Sequence, residues 1–92
     1  MKTVWKFPLD LGQVTGDGLG LSMPKGAELL TVQAQDGVPT LWALVDTDQP
    51  KEIRLIAVKG TGHDAGHVPK RYLGTTQHHG GALVLHYFEV TL

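Results

Sequence analysis

The chain has 92 residues, 41% of them hydrophobic and 18% charged, with a formal net charge of −1 and no cysteine. This is the size and balance of one folded domain, too weakly charged for general nucleic-acid binding, which draws its affinity from phosphate contacts. The missing cysteines fit a cytoplasmic protein with no disulfide framework. MKTVWKFPLD lacks the apolar core and small-residue cleavage site of a signal peptide, and no apolar run approaches the ~20 residues of a membrane span.

Twelve glycines and five prolines leave few windows long enough for a helix. Strand patterns dominate. Thr3–Leu9 is rich in β-branched and aromatic residues. Leu11–Gly20 (LGQVTGDGLG) reads as an extended glycine-rich loop, and Leu19–Met23 as a short strand at its end. Glu28–Gln35 alternates, which puts Leu30, Val32 and Ala34 on one face. Asp36-Gly37 then separates it from Pro39–Asp46. That dipeptide is the preferred type I′ hairpin turn, because both central residues need positive φ. Pro39 has no N–H to donate, so it belongs at a strand start or an edge. Beyond it, Leu41, Ala43 and Val45 share one face, with Trp42 and Leu44 on the other.

Thr47–Lys51 is a loop. Glu52–Lys59 carries aliphatic residues on both faces, and Tyr72–Gln77 is the next strand. Gly80-Gly81 turns the chain into Ala82–Thr91. There Val84, His86, Phe88 and Val90 face one way, and Leu83, Leu85 and Tyr87 the other. A strand apolar on both faces is either central in a two-layer structure or covered by a partner chain. The expectation is a single all-β domain over residues 1–92: about seven strands in an antiparallel meander, small barrel or sandwich, forming a homo-oligomer.

Several separated blocks carry a resemblance: MKTVWKFPL, MPKGAELLTVQAQDGVPTLWALVD (Met23–Asp46), GTGH (Gly60–His63), YLGTTQ and GGALVLHYFE. Together, and in this order, they resemble the DUF7352-like family of small tailed-phage and prophage proteins of unknown function. The resemblance implies a phage origin and expression in the host cytoplasm. It carries no catalytic assignment. It makes modulation of a host defence system a reasonable expectation. Leu11–Gly20 is longer than the family's first turn, and Asp64–Lys70 departs from the stretch that follows GTGH.

Four of the five histidines fall in Gly60–Gly81. His63, His67, His78 and His79 make a poor zinc site. There is no cysteine, and adjacent His78 and His79 point to opposite faces of a strand. No metal or other cofactor is expected. Thr61, Gly62 and His63, with Arg71 nearby, offer backbone N–H groups, a hydroxyl, an imidazole and a cation. They suit a small anion better than a metal, although no P-loop or dinucleotide fingerprint is present. His86 reads as a structural histidine, or else as a ligand-facing one at a subunit interface. Trp5 and Trp42 read as core or interface anchors, with Trp42 also able to stack on a ligand ring. The single serine, Ser22, has no nucleophile-elbow context and no carboxylate pair stands out, so no enzyme activity is expected.

The candidate ligand-binding set is therefore Thr61, Gly62, His63, Arg71, Trp42 and His86. The favoured function is binding a host or phage protein. The alternatives are an oligomeric sponge for a nucleotide-like anion, and a virion or assembly component.

Overall fold

A computed structural model of the chain describes residues 1–16, 18–63 and 71–91. Among these described residues are seven strands: β1 Lys2–Pro8, β2 Leu19–Pro24, β3 Glu28–Gln35, β4 Val38–Asp46, β5 Lys51–Gly60, β6 Arg71–His78 and β7 Leu83–Val90. The only helical pieces among the described residues are two single 3-10 turns, Leu11–Gln13 and His79–Gly81. The fold is all-β, as the alternating pattern implies.

The strands form two antiparallel sheets. Sheet I has the order β1-β4-β3 and sheet II the order β2-β5-β7-β6. This is neither a closed barrel nor a meander. Only β3–β4 and β6–β7 are consecutive hydrogen-bonded neighbours, whereas β1 pairs with β4, β2 with β5 and β5 with β7. The sheets pack face to face as a sandwich, with Leu29, Val32, Leu41, Ala43 and Val45 of sheet I against Leu19, Met23, Ile56, Leu73 and Tyr87 of sheet II.

The β3–β4 hairpin is as the sequence predicts, with φ of 50° at Asp36 and 80° at Gly37. Pro39 is the second residue of β4, which is a central strand, and it is buried. It is tolerated because its backbone faces the β1 side just beyond the last rung, Pro8–Thr40, where its carbonyl still accepts from Leu9 N–H at 2.9 Å.

The inward face of β3 differs from the expected one. A bulge between Leu29 and Thr31 leaves Leu30 without a partner on β4. Leu29 and Val32 turn inward, at 1% and 0% exposure, while Leu30 is 39% exposed; Ala34 keeps the face of Val32, opposite Pro39, but is exposed near the strand end. One extra residue shifts the period-2 pattern midway along the strand. β7, apolar on both faces, is a central strand of sheet II: Tyr87 and Leu85 face the core, and Val84, His86, Phe88 and Val90 face outward.

At one side of the sandwich β3 meets β6. Thr31 Oγ1 donates to Leu73 O at 3.1 Å. Gly74, at φ 154°, lies so close to the Val32 carbonyl that a Cβ there would collide with its oxygen. The opposite side is bounded by β1 and β2, and among the described residues each has a strand partner on one side only.

Candidate functional site

Two surfaces are the candidates, one on each sheet. The first is the outer face of sheet II around His86. Lys59 is the cross-strand partner of His86 on β5, and Thr75 its partner on β6. The imidazole is bonded at both nitrogens. Nε2 lies 2.6 Å from Thr61 Oγ1, and Nδ1 lies 3.0 Å from Thr75 Oγ1. Tyr72 OH extends the chain of hydroxyls at Thr75. A neutral imidazole has one donor and one acceptor nitrogen, so one of the two threonines donates to it and the other accepts. Thr61 N–H also donates to Val84 O at 3.3 Å, which fixes the start of the turn beside β7.

The six predicted residues do not form one pocket. Thr61 and His86 are in contact. Gly62 and His63 follow in the exposed turn, where Gly62 has φ 83° and His63 N–H donates to Gly60 O. Arg71 starts β6 beside Glu89, four residues from Thr75 along an extended strand and so about 13 Å away. Trp42 is on sheet I, on the other side of the sandwich. His67 and Lys70 lie outside the described residues. His78 shares its Nε2 with Thr76 Oγ1 at 2.8 Å, and His79 is exposed at φ 53°. No group of three His, Asp or Glu converges as a metal would require among the described residues.

The second surface is the outer face of sheet I. Trp42 and Leu44 project outward from the central strand because Leu41, Ala43 and Val45 project inward. Val4 stands opposite Leu44 and Lys6 opposite Trp42 on β1, while Leu30 bulges beside them on β3. Trp42 and Leu44 are half-buried, and Val4 is 52% exposed. The result is an apolar patch centred on a tryptophan and bordered by Lys2, Lys6, Glu28 and Asp46. The other tryptophan, Trp5, faces inward at the rim of the core, 6.4 Å from Phe7 between ring centroids, with Lys51 Nζ 4.8 Å from its ring.

A partly buried ionic cluster, which no local motif singles out, joins Arg54, Glu52 and Glu89. Arg54 Nε donates to Glu89 Oε2 at 2.7 Å, and its Nη1 donates to Ala27 O at 2.8 Å and lies 3.5 Å from Glu52 Oε2. The Glu89 bond, chiefly, raises the Arg54 pKa above its ordinary value. Strand alternation carried the signal, since Arg54 shares the face of Ile56 and Glu89 that of Tyr87. The cluster ties the β2–β3 turn to sheet II, because Glu52 Oε2 also accepts from Gly26 N–H at 2.9 Å.

No helix among the described residues is long and apolar enough to cross a membrane. No curated protein and no solved structure matches the chain. A family model does, over residues 1–92, and the chain belongs to that family, a domain of unknown function designated DUF7352.

Proposed function

We propose that this is a phage or prophage accessory protein of the host cytoplasm that works by binding a protein partner through the outer face of sheet I. One observation carries the reading. A tryptophan sits half-exposed at the centre of an apolar sheet face, among Val4, Leu30 and Leu44, where the sandwich core does not use it. Tryptophan is enriched among residues that dominate interface energetics, and a polar rim around an apolar centre is the usual anatomy of a protein interface. Near-neutral charge suits a protein partner better than nucleic acid.

The test compares capture of partners from host lysate by the wild type and by Trp42→Asp, with circular dichroism confirming that the variant folds. The reading expects a partner retained by the wild type and lost with Trp42→Asp. Retention of every partner by the folded variant contradicts it. Homo-oligomerisation through the same face is the competing occupancy. Sedimentation of the two proteins separates it from the first, since a second copy as the occupant makes the wild type an oligomer and Trp42→Asp a monomer.

The cross-strand pairing of Lys59 with His86, beside Thr61 and Thr75, favours a second reading in which a small nucleotide-like anion sits on sheet II. Calorimetric titration with inorganic phosphate and nucleotides tests it. Binding abolished by Lys59→Ala supports it, and no heat with any of these anions removes it.

A further inference from the structure

The free edge of β1 has a defined hydrogen-bonding face. Leu9 N–H donates to Pro39 O and Thr47 N–H to Met1 O, each at 2.9 Å. These bonds bracket the β1–β4 ladder and set its phase. Odd-numbered residues Thr3, Trp5 and Phe7, opposite Val45, Ala43 and Leu41, turn their backbone groups to β4. Lys2, Val4 and Lys6 therefore turn their N–H and C=O groups away from it. Among the described residues β4 is the only strand paired with β1.

The side chains at this edge are sorted by charge. Lys2, Val4 and Lys6 lie on the outer face, continuous with Trp42 and Leu44. Thr3, Trp5 and Phe7 lie on the inner side and are half-buried, with Lys51 over the Trp5 ring. Among the described residues Lys6 Nζ is engaged only by a neutral acceptor, Gln35 Oε1, at 3.1 Å.

We propose that the β1 edge binds an extended segment of a partner protein in which two acidic residues bracket three apolar ones. This rests on the reading of the chain as a protein-binding module. The segment would add a fourth strand to sheet I. Its carboxylates would face Lys2 and Lys6, its central apolar side chain would lie against Val4 beside the Trp42 patch, and its two inward side chains would cover Thr3 and Trp5. Main-chain bonds supply general affinity in such strand addition, and the alternating side chains select the sequence. Opposite charges directly across a sheet stabilise it and like charges oppose it. The same rule disfavours a second copy here. Antiparallel β1–β1 pairing centred on Val4 sets Lys2 opposite Lys6 twice, and shifted registers set lysine opposite valine or proline.

The test is nitrogen-15 NMR titration of the whole chain with two peptides. Both have a central Val-Val-Val, bracketed by Glu in one and by Lys in the other. The acidic peptide is expected to shift the amides of Lys2, Val4 and Lys6, and the basic one to leave them unmoved. Combined Lys2→Glu and Lys6→Glu substitution should weaken the acidic peptide about tenfold and let the basic peptide bind. Equal shifts from both peptides, or none at β1 from either, overturn the proposal. That failure is distinct from failure of the broader reading, which is decided by Trp42-dependent capture of a whole partner and does not require β1 to pair.

Discussion

Arg54 and Glu89 meet at the edge of the sandwich core at 2.7 Å, with side chains 16% and 7% exposed. Removing Glu89 takes the nearest carboxylate from Arg54 and leaves Glu52 at 3.5 Å; loss of one partner from a largely buried pair costs several kcal/mol, whereas an apolar pair can be neutral. Glu89→Leu should lower unfolding free energy by about 3 kcal/mol. Arg54→Met combined with Glu89→Leu should recover more than half of that loss. Urea denaturation of the two variants checks this. Equal loss in both would show that the cluster's contribution is not the pairing.

Gly74 holds the two sheets together at the β3–β6 side by having no side chain. Its φ of 154° and the Val32 carbonyl leave no room for a methyl group. Gly74→Ala should cost about 3 kcal/mol, from backbone strain and the forced separation of β3 from β6. Gly37→Ala keeps an open position, with nothing within 4 Å, and strains only the turn. It should cost less, about 1 kcal/mol. Reversal of that order in thermal or urea unfolding would mean the contact is not tight.

Tyr87 is fully buried, and burial pushes its phenol above the ordinary tyrosine range, against the pull of the Thr76 hydrogen bond at 2.8 Å. The fold thus favours the protonated phenol. Its stabilising share is whole below the unfolded tyrosine pKa of about 10 and is lost as pH rises through the higher folded value. Wild-type stability should fall above about pH 10, and Tyr87→Phe should flatten that limb while costing about 1 kcal/mol near neutrality. Parallel alkaline limbs in the two proteins would assign the loss to other groups.

The strand positions and the β3–β4 turn were legible because both are local. Asp36-Gly37 demands positive φ, and alternation marks the strands. The sheet order was not legible, since β1–β4 and β2–β5 are long-range pairings that no local pattern encodes. The bulge at Leu30 was hidden for a related reason, as an unbroken alternating stretch does not show where a residue is skipped. Trp42 was read as an anchor, and the structure puts it on a half-exposed outer face. Proximity in sequence suggested that Thr61 and Arg71 share a pocket, but they belong to strand ends on opposite sides of β7. Arg54 and Glu89 are 35 residues apart, and only the β5–β7 pairing brings them together.

Residue-resolved hydrogen exchange reads out directly whether sheet I binds protein at the Trp42 face and along β1. In the free protein the amides of Lys2, Val4 and Lys6 should exchange much faster than those of Thr3, Trp5 and Phe7, which are bonded to β4. On adding a captured partner, protection should appear at Lys2, Val4 and Lys6, with loss of solvent access at the Trp42 indole N–H. Protection confined to β2, β6 or the His86 face, with these positions unchanged, would contradict binding at sheet I.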